Sequence, residues 1–284
     1  LEKTQVSTTS KGIAAMRAIE SEKPADARIC YDPFARRFAG TGFYLLSKAF
    51  LDYAERRAPG VSGFIVCRCR YFDDYLDACL RSGISQVVIL GAGLDSRAYR
   101  GRLLQEHVPT FEVDAPATQA DKMERVGKVL GTRPAHVRYV PIDFNEETLD
   151  KLLSEGFDRS KRTLFMWEGV TYYLGADAVD ATLGWIASNA ASGSPVIFDY
   201  VHASALAAEH QRGEISRMQR YRRFTGEGFD FGIEEGGVEA FLTGRGFAHV
   251  VDIGAEGLKR LYCTGPNEGR TVADVYSILH AEVA

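Results

Sequence analysis

From residue 84 onward, short apolar runs alternate with stretches whose apolar residues recur at helical spacing, the signature of βαβ units around a parallel sheet. The apolar runs predict strands at residues 86–90, 110–113, 137–141, 163–167, 195–200, 248–253 and 276–282, and the intervening periodicity predicts helices such as 117–130 and 176–191. The first five strands are expected to be parallel. The last two are joined by residues 255–275, which carry helix signals of their own. Two segments stand outside this alternation. Residues 1–80 read as mostly helical with a break at Tyr31-Asp32-Pro33-Phe34, and residues 201–235 interrupt the final crossover with an apolar-basic helix and the loop GEGFDFGIEEGG. Insertions at the carboxyl ends of sheet strands commonly cover a ligand crevice. The expected organisation is therefore a helical cap over 1–80 and an α/β domain over 81–284 with a lid at 201–235.

Composition narrows the class. The 284 residues are 45% hydrophobic and 25% charged, with a formal net charge of -4. Acidic and basic residues are mixed along the chain, a poor footprint for phosphate neutralisation, so no nucleic-acid partner is expected. No apolar run approaches the roughly 18 residues of a membrane span and the amino end is polar, which predicts a soluble, cytoplasmic protein without a membrane partner. The five cysteines are odd in number, and Cys67-x-Cys69 lacks the second pair and the histidines of a zinc site; free thiols and no metal are expected. A homo-oligomer is compatible with the sequence.

The first strand runs into Gly91-Ala92-Gly93-Leu94-Asp95-Ser96. Such a turn reverses tightly and lets a ligand touch main chain. A dinucleotide fold would show G-x-G-x-x-G; here the third glycine is absent, and Asp95 puts a negative charge where a pyrophosphate would sit. The second strand ends in Phe111-Glu112-Val113-Asp114, where an acid can accept both hydroxyls of a ribose. The third ends in Pro141-Ile142-Asp143-Phe144, offering a carboxylate for an exocyclic amine and a ring edge for a purine. The fourth ends in Trp167-Glu168-Gly169. Four successive strands thus deliver polar groups to one edge.

The strings SKGIAAMRAIE, YDPFARRF, RCRYFDDYL, VVILGAGLDSRAYR, FEVDAP, PIDF and WEGVTYYL, in order over most of residues 10–175, resemble the leucine carboxyl methyltransferase family. The resemblance implies an S-adenosyl-L-methionine-dependent enzyme that releases S-adenosyl-L-homocysteine. It also implies a Rossmann-like class I methyltransferase fold: a seven-stranded, mostly parallel sheet whose last strand is antiparallel. Carried over, Gly91 and Gly93 line the methionine part of the cofactor, Asp114 holds the ribose, Asp143 and Phe144 hold the adenine, and Glu168 takes the α-ammonium or nearby polar groups. Arg68 resembles the arginine that binds the cofactor carboxylate, although spacing also permits Arg70, and Lys11 resembles a lysine near that carboxylate. The chemistry agrees: this cofactor has a zwitterionic tail and a cationic sulfonium but no phosphate, so its site needs a guanidinium and acids rather than an anion cradle. Arg68 and Arg70 could equally pair with Asp73 and Asp74 along a helix face.

The acceptor is less constrained. Bacterial members of the family point to a carboxyl group of a small polyketide-like or aromatic acid from secondary metabolism. Such a carboxyl, with a pKa of about 4, is ionised at neutral pH and needs no base; a phenol near pKa 10 would need one. His202, after the fifth strand, is the best-placed base for a hydroxyl acceptor, and Tyr172 and Tyr173 are candidates for orienting the acceptor. In the lid, one of Arg217, Arg220, Arg222 and Arg223 would draw in an acidic, aromatic-rich substrate, while the phenylalanines Phe224, Phe229 and Phe231, with Tyr221 beside them, stack upon it. The competing readings are a hydroxyl O-methyltransferase and, from another class, an NAD(P)-dependent oxidoreductase that shares the glycine turn and the acid after the second strand.

Overall fold

The β-branched and aliphatic run QVVIL is buried at every position, as expected of a central parallel strand covered on both faces. The computed structural model describes residues 8–144, 146–206 and 228–284. Its sheet consists of β1 (Gln86–Leu90), β2 (Thr110–Asp114), β3 (Val137–Pro141), β4 (Thr163–Trp167), β5 (Pro195–Val201), β6 (Phe247–Ile253) and β7 (Tyr276–Val283). The order across the sheet is β3-β2-β1-β4-β5-β7-β6. β1 to β5 pair in parallel, and β7 runs antiparallel to both β5 and β6. β6 therefore shares the direction of the first five, and β7 alone opposes them.

Strand alternation sends successive side chains to opposite faces. Val87 and Ile89 of β1 join Leu164, Met166 and Ile197 beneath α4 (Val61–Arg81), which contributes Phe64, Cys67, Phe72 and Leu76. Val88 and Leu90 join Phe111, Phe165, Val196 and Phe198 against α8 (Ala176–Asn189), through Val179, Leu183 and Ile186. Within the expected cap, α4 is thus a packed layer of the sandwich. The helix α1 (Thr8–Ser21) lies at the rim, with its small residues Ala14 and Ala15 buried beside Phe38 and Leu94. All five cysteines are free thiols. Among the described residues no helix is long and apolar enough to cross a membrane.

Of the expected lid, Arg217 and Tyr221, with Arg220, Arg222, Arg223 and Phe224, lie outside the described residues. Its described carboxyl-terminal end is anchored to the sheet: Ile233 N–H donates to Val201 O at 3.1 Å and Ala203 N–H to Ile233 O at 3.0 Å. Asp230 N–H donates to Tyr172 O at 2.8 Å, which ties this loop to the turn after β4.

The strand order reverses at β1, whose neighbours β2 and β4 lead to opposite sides of the sheet. A reversal of this kind opens a crevice outside the carboxyl ends of the strands.

Candidate functional site

That crevice is a cleft of about 600 Å³ lined by residues 91–95 after β1, 114–118 after β2, 142–144 after β3 and 168–170 after β4. The helix α1 adds Ser10, Ile13 and Arg17, and the loop after β4 adds Tyr173.

Its glycines answer to two demands. Gly91 and Gly93 have φ of 63° and 41°, the left-handed region that L side chains rarely occupy. A Cβ on Gly91 would stand 2.3 Å from Val170 Cγ2, so packing against the β4 turn requires glycine there. Gly93 N–H donates to Asp114 Oδ2 at 2.5 Å, and Ala115 N–H to Asp114 Oδ1 at 2.7 Å. The carboxylate at the β2 tip is therefore held by main chain on both oxygens. Beyond β3, Asp143 O accepts from the N–H groups of Glu146 and Glu147, forming a turn that places Phe144 beside Trp167, with ring centroids 6.2 Å apart.

The floor is a buried charge network. Arg68 donates from Nε to Glu168 Oε1 at 3.0 Å, and from Nη1 to Asp199 Oδ2 at 2.6 Å and the Tyr172 hydroxyl at 3.1 Å. Arg97 donates from Nη1 to Glu168 Oε2 at 2.6 Å and to Asp95 Oδ2 at 2.5 Å, and from Nε to Asp73 Oδ1 at 2.6 Å. Arg17 donates from Nε to Asp32 Oδ2 at 3.0 Å and from Nη2 to Leu94 O at 2.5 Å. Burial pushes the Glu168 carboxyl up, but Arg97 and Arg68 outweigh it and hold the group down at about 2. Asp199, wholly buried, is instead pushed up, because burial exceeds the pull of its single guanidinium, Arg68. Among the described residues, Arg68 Nη2 and Arg17 Nη1 take no hydrogen-bond partner, and both arginines line the cleft.

Residues 10–187, more than half of the chain, match the family model described as leucine carboxyl methyltransferase. The chain belongs to the leucine carboxyl methyltransferase family. Named S-adenosyl-L-methionine-dependent methyltransferases similar to it include a Streptomyces coelicolor protein, 36% identical over 189 residues and covering 66% of each chain, so this chain spans about two thirds of that relative's length. A Mycobacterium avium methyltransferase is 31% identical over 268 residues, 87% of this chain and 81% of that one. The fold matches a solved Thermobifida fusca structure described as that of a methyltransferase, with a TM-score of 0.64 at 16% identity over 98% of this chain and 95% of that one. It also matches a Streptomyces avermitilis structure, with a TM-score of 0.59 at 15% identity over 94% and 100% of the two chains. The protein is an S-adenosyl-L-methionine-dependent methyltransferase, which sets aside the oxidoreductase reading.

In this methyltransferase the residues expected from the sequence divide. Gly91, Gly93, Asp114, Asp143, Phe144, Glu168 and Arg68 come together around the cleft. Arg70 points outward to Asp74 at 2.8 Å and does not line it. Lys11 sits on α1 but outside the cleft lining; Arg17, two turns along, lines it instead. For Glu168 the resemblance implied the α-ammonium or nearby polar groups as partners; here both its oxygens receive guanidinium N–H groups. The two tyrosines separate: Tyr173 lines the cleft, while Tyr172 is buried against Arg68 and Phe229. Phe229 packs on both tyrosines behind the cleft wall. Phe231 is buried and faces Phe241, so it offers no stacking surface to a substrate. His202 is not in the cleft: its Nε2 lies 2.9 Å from Ser277 Oγ and its Nδ1 3.3 Å from Glu235 Oε1. The sequence reading missed Arg17, Arg97 and Asp199. Arg17 and Arg97 stood within strings already singled out, SKGIAAMRAIE and GLDSRAYR, but no local spacing ties them to their partners.

Proposed function

We propose that this methyltransferase transfers a methyl group to the carboxylate of a small polyketide-like or aromatic acid. The observation that carries this reading is that, among the described residues, no histidine lines the cleft and the best-placed one, His202, is held at both ring nitrogens outside it. A carboxylate acceptor, about 99.9% ionised at pH 7 for a pKa of about 4, requires no base; a phenol would be only about 0.1% ionised.

The cleft residues suit S-adenosyl-L-methionine. Arg68 Nη2 and Arg17 Nη1 supply N–H groups for its carboxylate, and Asp114, clamped by main chain on both oxygens at the β2 tip, is the acceptor for ribose hydroxyls. Asp143 and Phe144 frame the adenine, and Gly91 and Gly93 admit the methionine portion. Glu168 fixes Arg68 and Arg97 beneath it. When bound, the cofactor supplies a methyl group on a sulfonium, a good leaving group. The chain then has to align and desolvate two partners, a contribution of about 7–11 kcal/mol for well-oriented reactants. Tyr173 lies where it can orient the acceptor, backed by the Phe229 ring at 5.3 Å.

A hydroxyl acceptor is the second reading, favoured by one observation: Asp230, a carboxylate, lines the same cleft as Tyr173. Mass spectrometry across a panel of acids and phenols separates the two. Gain of one methylene on an acid, reversed by mild base, marks an ester; a base-stable product on phenols alone overturns the carboxylate reading. Calorimetry should show S-adenosyl-L-homocysteine binding at micromolar strength and no binding of NADH.

A further inference from the structure

Strand β5 is buried at all seven positions, yet Asp199, the fifth of them, carries a carboxylate with no solvent exposure. A charge in such a place is tolerated only when paired and hydrogen-bonded. Asp199 Oδ1 accepts the Gly169 N–H and Oδ2 accepts Arg68 Nη1, each at 2.6 Å. The Thr171 hydroxyl donates to the Asp199 main-chain oxygen at 2.5 Å. One aspartate thus joins the floor arginine to the turn that carries Glu168. Gly169 itself has φ of 73°, and a Cβ there would stand 3.3 Å from both Nη atoms of Arg68. The guanidinium is gripped at Nε by Glu168 and at Nη1 by Asp199 and Tyr172, with glycine leaving room for it, and Nη2 is the end without a partner among the described residues.

We infer that Asp199 is a positioning residue for the cofactor's amino-acid end. It does not line the cleft; it locks the Arg68 guanidinium and the Gly169 turn into one unit, so that Nη2 is presented in a single orientation. Without it, Arg68 keeps Glu168 and the Tyr172 hydroxyl but loses a fully buried counter-charge, and its long side chain regains rotamer freedom. This rests on the proposed placement of the cofactor carboxylate at Arg68.

A ligand pair tests it. S-adenosyl-L-homocysteine carries the amino-acid end, and 5′-methylthioadenosine lacks it. Asp199→Asn, nearly isosteric, should weaken S-adenosyl-L-homocysteine by about tenfold or more while leaving 5′-methylthioadenosine within about twofold, as read by calorimetry on protein shown folded by its thermal transition. In an Arg68→Gln background, Asp199→Asn should add nothing further, since one residue acts through the other. Equal weakening of both ligands, or a full additional loss in the Arg68→Gln background, would overturn the role. If Asp199→Asn does not fold, Gly169→Ala crowds the same guanidinium from the other side; it should show the same selectivity, and loss of both ligands alike would count against the inference. Failure of the unaltered protein to bind S-adenosyl-L-homocysteine would instead overturn the underlying placement, and this role with it.

Discussion

Arg97 and Glu168 stand 71 positions apart in the chain and meet at 2.6 Å beneath the cleft, in a pair that is almost wholly buried. Glu168 receives Arg68 on its other oxygen, so one carboxylate separates two guanidiniums that would otherwise repel each other. Breaking a buried pair by removing one partner strands the other charge, which costs about 3–5 kcal/mol.

This pairing gives stability a pH signature. The folded Glu168 carboxyl sits near 2, below its ordinary 4.5, so its contribution is complete above the unfolded value and is lost as pH falls from 4.5 through about 2. The shift corresponds to stabilisation on the order of 3 kcal/mol. Asp199 acts in the opposite sense, since burial raises its folded value. Denaturant unfolding at a series of pH values should show Glu168→Gln less stable at pH 7 and flatter between pH 4.5 and 2. Parallel curves for the two proteins would reject the assignment.

Arg17 and Lys11 predict opposite outcomes on one helix. Arg17→Gln should weaken S-adenosyl-L-homocysteine by about 10- to 100-fold, the worth of one charge-assisted hydrogen bond. Lys11→Ala, outside the cleft lining, should change it by less than about threefold. Titration calorimetry on both variants decides between them, and a reversed ranking would restore Lys11 as the carboxylate partner.

Gly91 should be intolerant for a steric reason. Alanine there must hold φ near 63° and place its Cβ 2.3 Å from Val170 Cγ2. We expect a loss of about 1–3 kcal/mol from overpacking, with a further 1–2 kcal/mol for the left-handed backbone. Adding Val170→Ala should recover the overpacking part alone. Thermal melts of the single and double variants measure it, and a double variant no better than Gly91→Ala would show that the backbone conformation dominates.

His202→Ala should leave the methyl-transfer rate within about threefold, because the ring sits between Ser277 and Glu235 away from the cleft. Loss of a general base would instead cost about 10²–10⁴ in kcat. Single-turnover rates with a carboxylic acid and with a phenol make the comparison.

The order of α/β units was legible because strands buried on both faces read as continuous apolar runs, as QVVIL does, and helices as 3.6-residue periodicity. The acids were legible for a related reason. Parallel strands bring all their carboxyl ends to one edge, so Asp114, Asp143 and Glu168 at successive tips had to face a common crevice. The sequence also supplied the glycine turn and the motifs of a methyltransferase family. It could not show that Glu168 is a counter-ion, since Arg97 and Arg68 reach it only once β4, the turn after β1 and α4 are packed together. Nor could it separate Arg68 from Arg70. Two residues apart on a helix, they point about 160° from each other, and only the docking of α4 decides which enters the sheet side. His202 follows the same logic in a strand: it extends β5 on the Tyr200 side, whereas Asp199 on the opposite side meets Arg68. Local periodicity fixes which residues are apolar and where strands end; the partner of a buried charge is set by packing between segments that are far apart in the chain.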